Sequence, residues 1–127
     1  MAKILVVDDE NKIRNLYKKL LISERYEVVE AQDSQSATRL MLNQPDITLV
    51  LLDINMPDID GTVLYQLIRR LDQHTKVIVT SAYPLQDQRR LIFRADDYYD
   101  KSQGTEVLLE KVKGVLQEEE SNGHKPA

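Results

Sequence analysis

The run Ile47 to Leu52, ITLVLL, restricts this chain most: six apolar or β-branched residues stand together without alternation and then meet Asp53. Alternation marks a strand wetted on one face. Its absence over so short a run marks a strand covered on both faces, as in a parallel sheet between helices. An unpaired charge is expensive to bury, so the chain must be leaving the core at Asp53. That puts Asp53 at the carboxyl end of a central strand, the edge where open α/β sheets bind ligands. Met56-Pro57 then turns the chain, and Asp60-Gly61 leads it into a helix.

A second buried run, Ile4 to Val7, also ends in acid, at Asp8, Asp9 and Glu10. Helical spacing of Ile13, Leu16, Tyr17, Leu20 and Leu21 predicts a helix with one apolar face after it. Tyr26 to Ala31 gives a short strand, and Asp33 or Ser34 can cap a helix burying Ala37, Leu40 and Met41. Asp60 is a suitable N-cap for a helix burying Val63, Leu64, Leu67, Ile68 and Leu71. Lys76 to Thr80 forms a fourth strand ending in Thr80-Ser81. The segment from Leu85 to Arg94 is weakly patterned, with Leu85, Leu91, Ile92 and Phe93 to bury. Asp97 to Tyr99 is a fifth strand, and a last helix buries Val107, Leu108, Val112, Val115 and Leu116.

Strands and helices alternating in this way predict a parallel sheet with right-handed crossovers. The expected fold is a flavodoxin-like, doubly wound (βα)5 domain with strand order 2-1-3-4-5 and a ligand crevice between the first and third strands. The domain is expected over residues 1–117, followed by a disordered polar tail or the start of a linker over 118–127. At 127 residues and 42% hydrophobic content the chain can bury a single core. No apolar run approaches membrane-spanning length and there is no signal-peptide pattern, so a cytoplasmic protein is expected. The absence of cysteine excludes disulfides and thiolate metal sites, and a net charge of −4 argues against nucleic-acid binding.

On this fold Asp8, Asp9 and Asp53 converge. Three carboxylates repel one another unless a hard divalent cation with oxygen ligands joins them, and Mg²⁺ (or Mn²⁺) suits that set. With Lys101 and a hydroxyl from Ser81 or Thr80, such a site can neutralise a phosphoryl group, and a carboxylate held there can attack phosphorus.

Taken together, Asp8-Asp9, Asp53 with Met56-Pro57 and Gly61, Ser81-Ala82-Tyr83, and Asp97-Tyr98 with Lys101 resemble the receiver domain of two-component response regulators. The resemblance covers about residues 3 to 117. It implies that Asp53 is the phosphoacceptor, supplied by a sensor histidine kinase or a histidine phosphotransfer protein. Asp9 and Asp53 would bind Mg²⁺ directly, Asp8 would do so through water, and the Asn55 backbone carbonyl would complete the protein ligands. Lys101 would contact the phosphoryl oxygens. Ser81 is the expected switch hydroxyl, with Thr80 as second choice, and Tyr98 is the switch aromatic. The fourth helix, fifth strand and fifth helix would present the readout surface to a downstream protein, or to a second copy in a phosphorylation-dependent dimer. A receiver of this kind catalyses its own phosphorylation and dephosphorylation and is otherwise a switch, not an enzyme.

The chain departs from the pattern in three places, one of them the span from Ser81 to Lys101, which is about one to two residues short. Ser102 stands where the family has a proline in a cis bond, so the expectation is a trans peptide with a shifted loop, or a strained one. Arg94-Ala95 stands where Gly-Ala is usual, removing a glycine cap from the fourth helix. These departures keep open an alternative, a phosphorylation-independent interaction module on the same fold. Asp58-Ile59-Asp60-Gly61-Thr62 spells the DxDGT motif of haloacid-dehalogenase-like phosphatases. That motif needs a strand immediately before its first aspartate, and here Met56-Pro57 intervenes.

Overall fold

The computed structural model describes residues 2–92 and 94–124. Its elements run β1 (Lys3–Val7), α1 (Asn11–Ser23), β2 (Glu27–Ala31), α2 (Ser34–Asn43), β3 (Ile47–Asp53), α3 (Gly61–Leu71), β4 (Lys76–Ser81), α4 (Leu85–Leu91), β5 (Asp97–Asp100) and α5 (Thr105–His124). The five strands are parallel, in the order β2-β1-β3-β4-β5. This is the expected doubly wound sheet, with β3 in its centre.

The unbroken apolar run of β3 feeds two cores at once. Leu49 and Leu51 join Ile4, Val6, Ile78 and Tyr99, beneath Tyr17 and Leu21 of α1 and Leu108 and Val112 of α5. Val50 and Leu52 join Leu5, Val7, Val77 and Val79, beneath Ala37 and Met41 of α2 and Leu64 and Ile68 of α3. Each large side chain so buried contributes roughly 1.5–3 kcal/mol. A one-residue slip of β3 would merely exchange the cores, so its register is held by the neighbouring strands, with Leu51 opposite Val6 and Ile78.

Caps form where short polar side chains precede the helices. Asp33 accepts the Ser36 N–H at 2.8 Å, and Asp60 accepts that of Thr62 at 2.8 Å. Asp58 ties the β3–α3 loop to the start of α2 by accepting the Ser34 N–H at 2.9 Å and its hydroxyl at 2.7 Å. The fold thus uses both aspartates of the DxDG segment as turn and cap groups.

Three helical faces differ from expectation. Leu16, Val63 and Leu91, placed in the core by spacing, are 48%, 51% and 48% exposed. In α1 and α4 the inward positions belong instead to Arg14 and Gln88, both buried. Helix α4 ends at Leu91, so Ile92 is buried from outside it, and Phe93 lies outside the described residues. Helix α5 continues to His124, past the boundary expected at 117, while residues 125–127 lie outside the described residues. Among the described residues no helix is long and apolar enough to cross a membrane.

Without the glycine cap, the α4–β5 connection is held by side chains from α3. The Tyr65 hydroxyl donates to the Arg94 carbonyl at 2.9 Å, and the Arg69 guanidinium reaches Asp96 at 3.0 Å and the Thr75 carbonyl at 2.5 Å. Asp96 in turn accepts the Val77 N–H at 2.7 Å, pinning the loop to the start of β4.

Candidate functional site

The site is built at the carboxyl ends of β1, β3, β4 and β5. Asp8 follows β1, Asp53 ends β3, Ser81 ends β4 and Lys101 follows β5. Both Asp8 and Asp53 are only 1% exposed, whereas Asp9 is exposed. Carboxylate oxygens of Asp8, Asp9 and Asp53 lie within 4.8 Å of one another.

Each buried carboxylate is oriented by its own chain. Asp8 Oδ1 accepts the Glu10 N–H and Asp53 Oδ1 accepts the Asn55 N–H, each at 2.9 Å. Such bonds two residues on are what aspartate makes readily at a turn. They leave the two Oδ2 atoms facing Lys101, whose Nζ lies 2.8 Å from Asp8 and 3.3 Å from Asp53. One ammonium therefore serves two carboxylates, with a third at the rim. That residual negative charge and an all-oxygen donor set fit a hard divalent cation.

Burial is the main reason that the Asp53 carboxyl is raised to about 6, and the Asp8 charge pushes the same way; the Asn55 N–H and Lys101 oppose both. For Lys101, burial acts downward, but the hydrogen bond to Asp8 and the charges of Asp53 and Asp8 outweigh it, so the ammonium is held above its ordinary value. At neutral pH Asp53 is ionised but more basic than a solvated carboxylate.

Ser102 does not displace Lys101. The peptide bond before Ser102 is trans. The Lys101 N–H donates to the Ser81 carbonyl at 2.8 Å, carrying the β4–β5 pairing one step past the strand. Ser102 gives both its N–H, at 2.9 Å, and its hydroxyl, at 2.8 Å, to Asp100 Oδ1. The turn is thus closed by a side chain of the strand it leaves.

The Ser81 hydroxyl donates to Asn55 Oδ1 at 2.5 Å and accepts the Tyr83 N–H at 3.0 Å. Thr80 is buried opposite Asp53 in the β3–β4 register. Tyr98 is buried, its hydroxyl donating to the Ile92 carbonyl, with the Arg89 guanidinium 5.5 Å from its ring centre. Burial, the largest influence on the Tyr98 phenol, raises it. The structure accordingly joins Asp8, Asp9, Asp53 and Lys101 in one cluster and Ser81 with the Asn55 side chain in a second group beside it.

Pattern reading missed Arg14. Its guanidinium donates to the Asp8 carbonyl at 2.7 Å and to Asn11 at 2.9 Å, and lies 3.4 Å from Glu30. The signal for it was its place in the α1 stripe, three before Tyr17 and seven before Leu21, where a long cation can turn inward.

Gly61 is required by a close approach: a Cβ there would lie 2.5 Å from Ile54 Cβ and 2.6 Å from its Cα. Gly61→Ala is expected to destabilise the fold by about 1–3 kcal/mol, because backbone rather than a flexible side chain must move. Urea unfolding measures this, and an unchanged midpoint would show that the loop yields freely.

A family model described as the response regulator receiver domain matches residues 4–113. The transcriptional regulatory protein SrrA of Staphylococcus aureus is 33% identical over 123 residues, covering 94% of this chain; the chain spans about half of that relative's length (49%). A CheY-like receiver domain protein from Methanospirillum hungatei superposes with a TM-score of 0.88 at 31% identity, over 96% of this chain and 98% of that one. Response regulator TrrA of Thermotoga maritima, in complex with Mg²⁺-BeF, gives 0.82 at 37% identity, over 91% and 99%. The same TrrA in complex with histidine kinase ThkA gives 0.82 at 38% identity, over 91% and 99%.

Proposed function

Since the chain belongs to the response regulator receiver domain family, we propose that it is a phosphoacceptor switch. Asp53 takes a phosphoryl group from a phosphohistidine of a sensor histidine kinase or histidine phosphotransfer protein. The observation that carries this is the Asp53 carboxylate itself: buried, one oxygen fixed by the Asn55 N–H, the other facing Lys101, beside Asp8 and Asp9.

The ionised Asp53 oxygen attacks phosphorus, an O–P bond forms, and the N–P bond of the donor breaks with its electron pair left on the imidazole nitrogen. Lys101 neutralises charge on the phosphoryl oxygens as they approach. Asp8, Asp9, Asp53 and the Asn55 carbonyl would hold Mg²⁺, which when bound supplies further charge neutralisation at phosphorus. Hydrolysis of the aspartyl phosphate by water returns the carboxylate. The activity is turned on the chain's own residue, so the molecule acts as a switch.

A phosphoryl group on Asp53 competes with Asn55 for the Ser81 hydroxyl. Drawing Ser81 away releases the Tyr83 N–H and shifts the balance of conformations around Tyr98, α4, β5 and α5. That face then meets a protein partner or a second phosphorylated copy.

The test is intact mass of the full chain after incubation with acetyl phosphate. One phosphoryl group is expected with Mg²⁺ and none with chelator. No adduct under conditions where Mg²⁺ binds would instead support a phosphorylation-independent interaction module.

A further inference from the structure

Gln88 is fully buried on α4, and among the described residues its Oε1 is a buried side-chain atom with no hydrogen-bond partner. Its Nε2 is fully used, donating to the Tyr83 carbonyl at 2.8 Å and to the Tyr99 carbonyl at 3.0 Å. Packing does not account for this side chain. A methionine of similar volume would fill the space without leaving a carbonyl unsatisfied, which proteins rarely tolerate. What the amide alone supplies, uncharged and at that length, is two N–H donors on one nitrogen.

Those two donors close a circuit around the site. Tyr83, held through its carbonyl, gives its own N–H to the Ser81 hydroxyl at 3.0 Å. Tyr99, held through its carbonyl, lies in β5, and two residues on Lys101 gives its N–H to the Ser81 carbonyl at 2.8 Å. Strand β5 is fixed by its pairing with β4, so it is the anchor and the β4–α4 loop is what the anchor holds. Resting on the phosphoacceptor function proposed above, we infer that Gln88 is a positioning residue: it fixes the β4–α4 loop to β5 and so sets where the Ser81 hydroxyl stands. Movement of α4 reaches Ser81 through this amide as well as along the short chain from Ser81 to Leu85.

The experiment is a double-mutant cycle on the full chain with Gln88→Met and Ser81→Ala, reading the rate of phosphorylation by acetyl phosphate at saturating Mg²⁺. Gln88→Met is expected to slow phosphorylation about tenfold in the wild-type background, a modest loss for a misplaced group. In the Ser81→Ala background the same substitution should change the rate by less than about twofold, because the group it positions is gone. Mg²⁺ affinity should change by less than about twofold, since Asp8, Asp9 and Asp53 lie outside the circuit and Asn55 meets Ser81 through its side chain rather than its backbone carbonyl. A merely structural role would act equally in both backgrounds, and that result, or an unchanged rate in folded Gln88→Met, overturns the inference. Should Gln88→Met fail to fold, Gln88→Asn replaces it in the cycle; failure of both to fold makes the role structural and overturns it too. No adduct on the wild type removes the phosphoacceptor function and this inference together, whereas an adduct insensitive to Gln88 removes the inference alone.

Discussion

Asp53→Asn is expected to take no phosphoryl group from acetyl phosphate, and in metal-free buffer at pH 7.5 to unfold at a higher temperature than the wild type. The first half follows from the nucleophile, because an amide oxygen is neither charged nor basic enough to attack phosphorus. The second follows from burial. The folded carboxyl is raised to about 6 from an ordinary 3.8, chiefly because the ionised form is desolvated. The native state therefore holds the proton more tightly than the unfolded chain does. Between about pH 4 and 6 the native state binds more protons, so stability falls as pH rises, and above 6 the full penalty is present. Asparagine carries no such penalty. It also leaves Lys101 its 2.8 Å partner Asp8. The difference should be about 1–3 kcal/mol in favour of the variant at pH 7.5 and should shrink towards zero near pH 4. Thermal melts followed by circular dichroism at both pH values, with intact mass after acetyl phosphate, decide it. A variant less stable at pH 7.5, or a gap indifferent to pH, would mean that Asp53 is not under electrostatic strain.

The strand tips were readable because an apolar run that ends in a carboxylate can end only at the edge of the sheet. Asp8 and Asp53 were found in this way from β1 and β3, and Lys101 from its place after β5. What periodicity could not show is a polar side chain at an inward position. In α1 the buried stripe runs through Arg14, Tyr17 and Leu21, and in α4 it includes Gln88, with Ile92 following the helix. Counting only apolar residues moved the predicted faces round the helices and placed Leu16 and Leu91 inside. The reason is the same in both helices. Where the chain leaves a strand, or runs along the edge of the sheet as β5 does, carbonyls lack ladder partners, and a buried carbonyl needs a donor. Arg14 supplies one to Asp8, and Gln88 supplies them to Tyr83 and Tyr99. Residues that stabilise the loops of the site are thus recruited from helix faces that a hydrophobic pattern assigns to the core. At Ser102 the expected trans peptide is found, and Asp100 and the Ser81 carbonyl hold the turn without the proline.

Lys101→Met should move the same site the other way. It removes the one cation, among the described residues, within 4 Å of both buried carboxylates, leaving Asp8 and Asp53 to repel each other in a place that water hardly reaches. Breaking one partner out of a buried pair is worth about 3–5 kcal/mol, and the partial exposure of Lys101 reduces this to roughly 2–4 kcal/mol in metal-free buffer at pH 7.5. The loss should already diminish as pH falls towards 6, because without Lys101 to oppose burial and Asp8 the Asp53 carboxyl takes its proton at a higher pH than in the wild type, and the repulsion is relieved. Mg²⁺ should raise the melting temperature of the variant more than that of the wild type, since a divalent cation then meets uncompensated carboxylates without competing with an ammonium for the same Oδ2 atoms. Phosphorylation at saturating Mg²⁺ should nevertheless fall by about 10²-fold or more, because Lys101 faces the incoming phosphoryl oxygens and the metal cannot replace it there. Stability and chemistry thus separate: the metal restores the fold of this variant and not its rate. Melts with and without Mg²⁺ alongside phosphorylation rates test both halves. A Mg²⁺ response no larger than that of the wild type would show that the cation does not bind at the oxygens that Lys101 occupies. A rate restored in step with stability would confine Lys101 to holding the carboxylates together.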